Sequence, residues 1–399
     1  AKRSSFYAKR LAGIEVDGVA TLSKIPILTR DEMDANMPPQ SMGLQTREVT
    51  GGYVSRSGGS TGAPKFSVYD GPDWENLVSN AVRVLRAAGL EKGDRIANCM
   101  LAGDLYGSFV SFDHINARVG ATTFAFAGQL EPETFLEIWR KFRINAIEGM
   151  PTVLMPLLRV AKQMAHDFQI DKIIYAGIPL SQSDRDWIQK NVSPKSICSV
   201  VGANDGGQLA FQCAAQSGQR HHVIDDFNYV EIVDDKGQPV AKGESGRILI
   251  TSLLKFAFPL IRYDIGDAAR WVEEPCSCGR TSRVIDYLGR SDDMVCVGLL
   301  NLRYRDVVEA VKGQQYSVLQ LAAKATDVGE SIELRIETEE VGSDFKQGFE
   351  KQLLDNLAPL RDALRDGYLH GLTVQIYPTG ALPRNPRTGK VKLLCDERF

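Results

Sequence analysis

Hydrophobic positions along the chain alternate between helix-like and strand-like spacing. Residues 76–90 carry apolar side chains at helical spacing, whereas several short apolar runs end near glycine, as buried strands do. These runs are IAN at 96–98, ATTFAFA at 121–127, DKIIYAG at 171–177 and SICSVVG at 196–202. The alternation predicts an α/β fold built on a largely parallel sheet, with functional loops at the carboxyl ends of the strands.

The pattern changes from about residue 222 to 275, where strand-like segments such as YVEIVDDKGQPV and SGRILITSL are separated by turn sequences. We expect a β-rich subdomain at about 212–285. Beyond GRSDDM at 289–294 lie strand candidates SIELRIETEE and LTVQIYP and a helix candidate at 344–363. We therefore predict a large α/β domain at 1–291 and a small α+β domain at 292–399, with the boundary near Asp292.

Composition narrows the classes of partner. With 399 residues and 43% hydrophobic residues, the chain can bury a large core and form two domains or more. A formal net charge of −3 argues against a broad basic surface for nucleic acid or an anionic membrane. No apolar run approaches the roughly 20 residues that span a bilayer, and AKRSSFYAKRLAG lacks the apolar core of a secretion signal. We expect a cytoplasmic protein with a small-molecule substrate; the oligomeric state stays open, with a homodimer as one alternative.

Small hydroxyl residues and glycines precede a lysine in SRSGGSTGAPK at 55–65. Glycines let backbone N–H groups approach an anion closely, hydroxyl groups add donors, and the lysine adds positive charge. The segment is not a Walker A loop, because Ala63 and Pro64 separate Gly62 from Lys65. From the residues alone, a flexible turn and a phosphate-binding loop both stay open. The phosphate-binding hypothesis involves Ser57, Gly58, Gly59, Ser60, Thr61, Gly62 and Lys65.

Further segments follow this loop in a definite order. They are YAGIPLS at 175–181, VGAND at 201–205, PLIRYDIGD at 259–267, GRSDDM at 289–294 and PRTGK at 386–390. Together with the loop, they resemble in sequence and order the motifs of the adenylate-forming superfamily of acyl-CoA synthetases. The resemblance extends from about residue 5 to residue 399, and CSCGR followed by LGRSDDM is most similar to the phenylacetate-CoA ligase branch.

The resemblance implies an acid–thiol ligase that activates a carboxylic acid with ATP and Mg²⁺ as its acyl-adenylate and then transfers the acyl group to coenzyme A. It implies ribose binding by Asp267, phosphate or ribose binding by Arg290, and catalytic roles for Asp205, at magnesium, and Lys390, at the α-phosphate. Nucleotide-loop contacts are implied for Ala176, Gly177, Gly202, Ala203 and Asn204. The residues alone also allow roles without a ligand. Asp267 could be a plain turn aspartate, Arg290 could form a surface salt bridge, and Lys390 could be a solvated lysine.

The resemblance also implies that the small domain is a mobile lid. Lys390 would face ATP in the first half-reaction, and rotation at Asp292 would then remove it. Residues 294–304, including Gly298, would line a tunnel for the thiol in the second half-reaction.

The chain departs from the superfamily pattern at Val201, Asp205 and Ile178. Val201 replaces a tyrosine that usually stacks on adenine, Asp205 replaces a glutamate, and Ile178 replaces another carboxylate. These departures keep two alternatives open. One is an adenylating enzyme that passes its acyl group to a carrier protein or an amine, and the other is a nucleotide-binding protein without catalysis.

Aromatic residues cluster before and within the 121–127 segment. They are Tyr106, Phe112, His114, Phe124 and Phe126. A core role stays open for them. If the strand lines the site as in the superfamily, some of them would shape an apolar or aryl pocket for the acid, with His114 at its wall. His114 is not expected to be a general base, because a carboxylate substrate is already ionised at neutral pH.

Seven cysteines in a long chain favour free thiols or a metal site over a disulfide framework. The CSCG turn holds Cys276 and Cys278, and Cys213 and His222 precede the β-rich segment. Pairs of thiol and imidazole ligands suit tetrahedral zinc. The alternative that these residues are buried free cysteines stays open. The resemblance favours Cys213, His222, Cys276 and Cys278 as ligands, with His221 as an adjacent alternative. Four protein ligands would make the Zn²⁺ structural.

Overall fold

The chain folds into two compact units, each with hydrophobic clusters of its own. The larger unit comprises residues 1–57 and 65–289, and the smaller unit contains the residues from 290 onward. The computed structural model describes residues 1–57, 65–103, 105–128, 131–177, 180, 182–290, 294–338, 343–383 and 391–398. Within these ranges, no helix combines the length and the apolar character needed to cross a bilayer.

The larger unit alternates helices and strands in its first half and is strand-rich in its second half. Its strands are β1 (Tyr53–Ser57), β2 (Lys65–Tyr69), β3 (Arg95–Cys99), β4 (Thr122–Ala125), β5 (Ala146–Gly149), β6 (Lys172–Ala176), β7 (Ser196–Ala203), β8 (Gly207–Phe211), β9 (Arg220–Val223), β10 (Asn228–Val233), β11 (Ser245–Ser252), β12 (Tyr263–Val272) and β13 (Val284–Arg290). Its helices are α1 (Ser5–Arg10), a 3₁₀ helix (Val19–Lys24), α2 (Arg30–Ala35), α3 (Gly71–Ala87), α4 (Gly107–Val119), α5 (Pro132–Phe142), α6 (Pro151–Met164) and α7 (Gln182–Asn191).

Helix α3 illustrates how local sequence sets the ends of these elements. The side chain of Asp70 accepts a hydrogen bond from the backbone N–H of Asp73, so the helix begins five residues before the predicted start at 76. Its apolar face packs with α4 in one hydrophobic cluster. The helix ends at Ala87, shortly before Gly89, whose φ of 102° leaves the helical region.

In the described residues, eleven strands form one sheet in the order β10-β11-β12-β13-β9-β8-β7-β6-β5-β3-β4. The five strands from β7 to β4 are joined by parallel pairs. Helices α3 and α4 contribute to one hydrophobic cluster, and α5, α6 and α7 contribute to another. The chain moves outward from β3 to β4 and then returns past β3 to β5, so the strand order reverses beside β3. Ligands of doubly wound sheets bind at the carboxyl ends of the strands next to such a reversal.

The second half of the sheet is antiparallel at β7–β8, β8–β9, β9–β13, β11–β12 and β10–β11. The sheet is therefore mixed, with a parallel half that agrees with the predicted parallel strands and an antiparallel half that contains the predicted β-rich segment. Residues 234–244 between β10 and β11 are too few for the helical crossover that a parallel pair requires. The β-rich segment also extends the main sheet rather than forming a separate one, although much of it packs in a distinct hydrophobic cluster with α1 and α2.

The smaller unit contains a hairpin and a four-stranded sheet with the order β18-β17-β16-β19. Its elements are β14 (Met294–Val297), β15 (Leu300–Arg303), α8 (Tyr304–Ala310), β16 (Val318–Thr326), β17 (Gly329–Glu337), α9 (Ser343–Asn356), α10 (Ala358–Arg365), β18 (Leu372–Tyr377) and β19 (Leu394–Glu397). The single helix predicted at 344–363 is wrong. It breaks at Leu357, because Pro359 has no N–H to donate and is tolerated only in the first turn of a new helix.

The predicted α/β fold class, with a large mixed-sheet domain and a small α+β domain, is confirmed by this architecture and by the structural neighbours reported below. The predicted hinge at Asp292 lies outside the described residues, and the mobility of the small domain stays a prediction.

Candidate functional site

The predicted phosphate loop connects β1 and β2, which pair in an antiparallel hairpin from Tyr53↔Tyr69 to Ser57↔Lys65. Residues 58–64, including Gly58, Gly59, Ser60, Thr61 and Gly62, lie outside the described residues, as do the side chains of Ser57 and Lys65. The hairpin is fixed beside the sheet. The backbone N–H of Arg56 donates to the carbonyl of Leu105, in the connection from β3 to α4. Both ends of the predicted loop therefore start close to the point where the strand order reverses.

Asp205 lies in the turn between β7 and β8, and its carboxylate is held by two hydroxyl groups. Ser67 Oγ of β2 donates to Oδ1, and the Tyr263 hydroxyl of β12 donates to Oδ2 at 3.0 Å. The Tyr69 hydroxyl donates to the Asp205 carbonyl at 3.0 Å. Each carboxylate oxygen has a second lone pair, so the group keeps the capacity to bind a cation. The sequence did not predict these partners, which lie on distant strands.

Lys255, in the connection between β11 and β12, is a further partner of Asp205 that the sequence did not predict. Its side chain is buried, Nζ donates to the Asp205 carbonyl at 2.9 Å, and the ammonium lies 4.1 Å from the centre of the Tyr69 ring. Burial lowers the pKa of Lys255 to about 8, although the charges of Asp205 and Asp73 oppose the shift. The turn that carries Asp205 is thus fixed from three separate strands and loops.

Asn204 offers an unsatisfied donor in the same turn. Its Nδ2 atom is buried and has no hydrogen-bond partner among the described residues. A Cβ atom at Gly107, the first residue of α4, would lie 3.6 Å from Asn204 Oδ1 and 3.2 Å from Ser55 Cβ. Strand β1, the start of α4 and the β7–β8 turn therefore converge. An orphan donor at this position fits a polar ligand such as a nucleotide.

The other predicted nucleotide residues lie at the carboxyl ends of β6 and β7. Ala176 ends β6 and pairs with Val200 of β7, and Gly177 follows with a φ of 88° that a side chain would strain. Gly202 lies at a register shift between β7 and β8, where a Cβ atom would be 3.0 Å from the Gly207 carbonyl oxygen. Ala203 ends β7. Parallel β6 and β7 thus bring these residues to one edge, together with Asn204 and Asp205.

Asp267 is buried on β12, the strand that also carries Tyr263. The remaining predicted positions are not described: Ile178 and Lys390 lie outside the described residues, as does the side chain of Arg290. Their roles stay predictions.

The predicted acid-pocket residues are divided among different environments. Phe112 is buried in the cluster that α3 and α4 form, which favours the core role that the sequence left open, and its role in a pocket stays a prediction. Phe124 and Phe126 are partly buried and pack on the opposite side, with the cluster of α5, α6 and α7. Tyr106 precedes α4 at its N-cap position and is partly buried. The spacing of apolar residues in a helix or strand does not show which face of the sheet each side chain contacts. For this reason, the sequence could not predict that these aromatic residues lie in different environments.

His114 packs in an aromatic cluster rather than at β4. The Trp74 indole N–H donates to His114 Nδ1 at 2.9 Å, and the Tyr53 hydroxyl lies 3.5 Å from Nε2. The Tyr53 and Trp74 rings are 4.0 Å apart between centroids. Nδ1 is therefore the acceptor of the indole hydrogen bond. The cluster joins α3 and α4 to the hairpin that carries the predicted phosphate loop.

Glu148 is a buried carboxyl group on β5, beside Asn98 of β3, and the sequence analysis missed it. Asn116 Nδ2 of α4 donates to Oε1 at 2.6 Å, while Oε2 has no partner among the described residues. Burial raises the pKa of Glu148 to about 8, with a further increase from the charge of Asp113. The carboxyl group is therefore mostly protonated at neutral pH. In the sequence, a single acidic residue within an otherwise apolar strand could have indicated this buried carboxyl group.

Replacing Glu148 by glutamine should stabilise the larger unit, and the effect should grow with pH. The pKa in the folded state is raised from 4.5 to about 8, so the native residue costs nothing below about pH 4.5 and becomes unfavourable as pH rises towards 8. Glutamine mimics the protonated form at every pH. We expect equal free energies of unfolding near pH 4 and a gain of roughly 2–4 kcal/mol at pH 8. Urea unfolding of both proteins across this range provides the measurement, and a difference that does not change with pH would contradict the assignment.

The four predicted zinc ligands lie together in the strand-rich half of the sheet. Cys213 follows β8, His222 lies on β9, and Cys276 and Cys278 lie in the connection between β12 and β13. Their ligand atoms are all within 4.8 Å of one another. Cys213 and Cys276 sulfurs are 3.6 Å apart, and Cys278 Sγ is 3.3 Å from His222 Nε2. Zinc–sulfur bonds of about 2.3 Å in a tetrahedron place sulfurs roughly 3.7 Å apart, so the residues fit zinc.

The surroundings of His222 support a ligand role. Ser282 Oγ lies 2.9 Å from Nδ1, the ring nitrogen on the other side from Cys278, and such a partner orients a metal-binding imidazole. His221, the adjacent alternative, is not part of the cluster, and its Nδ1 lies 2.7 Å from the Gln219 carbonyl. Burial raises the pKa of the Cys278 thiol, but hydrogen bonds from Arg280 and the neighbouring cysteines outweigh it and lower the value to about 7. The Cys213 thiol shifts the other way, because burial raises its pKa to about 12, so the fit to a thiolate-binding metal rests on the distances between the ligand atoms.

The chain is similar over its whole length to a bacterial ligase. It is 26% identical over 421 aligned positions to phenylacetate-coenzyme A ligase of Thermus thermophilus, with 100% of this chain and 93% of the relative covered. It is 28% identical over 303 positions to phenylacetate-coenzyme A ligase of Escherichia coli, with 73% of this chain and 67% of the relative covered. No family model matches the chain.

The fold is also that of a solved ligase. The structure of 2-hydroxyisobutyryl-CoA ligase in complex with 2-HIB-AMP and CoA has a TM-score of 0.74 and 17% identity, and the match covers 100% of this chain and 86% of the other. At this identity the likeness establishes the fold alone. Taken together with the relatives of 26% and 28% identity, it makes the chain phenylacetate-CoA ligase-like in sequence and similar in fold to a ligase that forms an acyl-adenylate.

Proposed function

We propose that the chain is an AMP-forming acid–thiol ligase that activates an aryl or acyl carboxylic acid with ATP and transfers the acyl group to coenzyme A. The observation that carries the proposal is the convergence at the carboxyl edge of the sheet. There, the buried Asp205 and the unsatisfied Asn204 donor lie beside the hairpin that bears the predicted phosphate loop. The relatives named phenylacetate-coenzyme A ligase support the same chemistry.

In the first half-reaction, an oxygen of the substrate carboxylate attacks the α-phosphorus of ATP. The bond from that phosphorus to the bridging oxygen breaks, and pyrophosphate leaves. Two anions meet in this step, so the protein must supply positive charge and aligned donors. We assign this role to the loop at 57–62, Lys65 and Lys390. Mg²⁺ would be held through Asp205 and would offset phosphate charge when bound.

In the second half-reaction, the thiol of coenzyme A loses its proton to solvent and its sulfur attacks the acyl carbonyl carbon. The bond from that carbon to the phosphate oxygen breaks, and AMP leaves with the electrons of the bond. The proposed lid motion divides the two steps. Lys390 would serve the first step, and the hairpin β14–β15 with Gly298 would serve the second. Gly298 has a φ of 51°, and a Cβ atom there would lie 2.0 Å from the Tyr368 carbonyl oxygen, so this turn requires glycine.

Two of the departures from the superfamily pattern, Val201 and Asp205, are compatible with this function. Val201 is partly buried and packs against the hydrophobic cluster of the antiparallel half, so it contributes to the core beside the nucleotide loop. The shorter Asp205 is positioned by the hydroxyl groups of Ser67 and Tyr263. We infer that these contacts set the carboxylate where the ion is needed.

We further propose a structural Zn²⁺ at Cys213, His222, Cys276 and Cys278. The distances between the ligand atoms and the orientation of His222 by Ser282 support this assignment. With four protein ligands the ion would have no open position, so its contribution would be to join β8, β9 and the β12–β13 connection.

Product analysis tests the function. The protein is incubated with ATP, Mg²⁺, coenzyme A and a pool of aryl and fatty acids, and the products are identified by mass. We expect AMP, pyrophosphate and one or a few acyl-CoA thioesters. Acyl-adenylate without thioester would favour transfer to a carrier protein or an amine, and absence of pyrophosphate with every acid would favour a non-catalytic nucleotide-binding protein.

Replacing Asp267 by alanine should weaken ATP binding more than acid binding. A carboxylate accepts both ribose hydroxyls, and losing charge-assisted hydrogen bonds of this kind costs roughly 1.5–3 kcal/mol, or about tenfold to a hundredfold in affinity. Calorimetric titration of ATP into both proteins gives the measurement, with Asp267→Asn as a variant of the same shape. Unchanged ATP affinity in the alanine variant would refute the ribose assignment.

A further inference from the structure

The β14–β15 hairpin turns through only two residues, Gly298 and Leu299, because Val297 pairs with Leu300. Both turn residues have positive φ angles, 51° at Gly298 and 66° at Leu299. A two-residue turn of this kind favours glycine, asparagine or aspartate, because a leucine side chain is strained in the left-handed region. Such backbone persists only where surrounding contacts fix it, and it is common at functional sites.

The carboxylate of Glu330 provides one of these contacts. Glu330 is the second residue of β17, and its Oε2 atom accepts a hydrogen bond from the backbone N–H of Gly298 at 2.7 Å. The carbonyl of Glu330 accepts from the N–H of His370 at 2.8 Å, which joins the start of β17 to the segment before β18. The same segment confines the turn, because it contains the Tyr368 carbonyl that leaves no room for a side chain at Gly298. The position of the turn is therefore set by two other segments of the smaller unit.

Arg398 follows β19 and orients this carboxylate. Its side chain is only 5% exposed, and Nη1 donates to Glu330 Oε1 at 2.7 Å and to the Cys296 carbonyl at 2.7 Å. Nε donates to Asp396 Oδ1 at 2.7 Å, which fixes the plane of the guanidinium. Hydrogen bonds between charged partners are stronger than neutral ones. One guanidinium thus binds β14 directly at Cys296 and binds its turn through Glu330.

We propose that Glu330 and Arg398 are positioning residues for the thioester-forming half-reaction, which hold the backbone at Gly298 in the conformation that the thiol of coenzyme A requires. The inference rests on the proposed function, in which the β14–β15 hairpin serves the second half-reaction. Both residues would act through the turn rather than by touching a substrate. Because the first half-reaction does not use the hairpin, loss of these contacts should affect the second half-reaction selectively.

Replacing Glu330 by alanine removes the acceptor for Gly298 and the partner of Arg398. We expect kcat/KM for coenzyme A, measured with preformed acyl-adenylate, to fall by about tenfold or more, as the loss of a charge-assisted hydrogen bond implies. Acid-dependent ATP–pyrophosphate exchange should stay close to the native rate. Arg398→Met, which removes the guanidinium, should show the same selective loss.

Glu333→Ala is the matched control. Glu333 lies on the same strand as Glu330, but its carboxylate pairs with Lys324 and Arg335 rather than with the hairpin. Its loss should therefore leave both half-reactions at the native rate. Melting temperatures of the Glu330→Ala and Glu333→Ala variants show whether each variant is folded under the conditions of the assay.

A double-mutant cycle with Leu299→Asn separates positioning from stability. Asparagine adopts the left-handed conformation more readily than leucine, so the turn should depend less on its contacts. The factor by which Glu330→Ala lowers kcat/KM for coenzyme A should then be smaller in the Leu299→Asn background than in the native one. If Glu330 contributed only to the stability of the unit, the factor would be the same in both backgrounds.

Any of four results would overturn the inference. They are native thioester formation in Glu330→Ala, equal impairment of both half-reactions in that variant, the same selective loss in Glu333→Ala, and an unchanged factor in the Leu299→Asn background. Failure of the proposed function is distinguishable from each of them, because the native chain itself would then form no acyl-adenylate or no coenzyme A thioester.

Discussion

Replacing Lys390 by alanine is expected to slow acyl-adenylate formation by on the order of a hundredfold to a thousandfold. The physical reason is the charge that builds at the α-phosphate when a carboxylate attacks it, which a preorganised cation offsets. Lys390 lies in PRTGK at 386–390, the segment that resembles the terminal Gly-Lys motif of the superfamily. Pyrophosphate release with a saturating acid gives the rate. Lys392→Ala is the matched control, because it removes an exposed lysine two positions away.

The same variant separates the two half-reactions. If the small domain carries Lys390 away before the thiol attacks, Lys390→Ala supplied with preformed acyl-adenylate should make thioester at close to the normal rate. Equal impairment of both half-reactions would refute the alternation of the small domain. Impairment of neither would remove Lys390 from the catalytic site.

Removal of zinc is expected to destabilise the larger unit strongly. Zinc binding at four protein ligands contributes folding free energy, and about 10–16 kcal/mol of apparent binding energy is typical of small zinc domains. Cys276→Ser should abolish stoichiometric zinc in protein purified without added metal. It should also lower the melting temperature by roughly 10 °C or more, since 1 kcal/mol corresponds to about 2–4 °C in units of this size.

A matched substitution controls for the loss of a thiol. Cys395→Ser replaces a partly exposed cysteine of the smaller unit that does not belong to the cluster, and its zinc content and melting temperature should stay unchanged. Metal-free native protein, or unchanged melting of Cys276→Ser, would contradict a structural zinc.

The order of motifs sufficed to predict the likeness to phenylacetate-CoA ligases and the fold class, because short segments at strand ends carry most of the chemistry. It did not suffice for contacts between distant strands. Asp205 could be named from VGAND, but its partners Ser67 and Tyr263 lie 138 and 58 positions away, and only the sheet brings them together. Lys255 was missed for the same reason.

Periodicity also has limits at the level of single side chains. Phe112 fits both an aromatic pocket and a helix core, and its place in the cluster of α3 and α4 favours the core. Cys213, His222, Cys276 and Cys278 were selected by resemblance rather than by spacing. Their proximity depends on the β8–β9 and β9–β13 pairings, which place residues from three segments side by side.

The most direct test of the account is acid-dependent exchange of labelled pyrophosphate into ATP, measured on the full chain with a pool of aryl and fatty acids. Exchange requires that the enzyme form an acyl-adenylate and reverse the step, so it reports adenylation before any acceptor is chosen. We predict exchange that depends on both the acid and Mg²⁺ and falls in the Lys390→Ala variant. Absence of exchange with every acid in the pool would contradict the proposal that this chain is an adenylate-forming ligase.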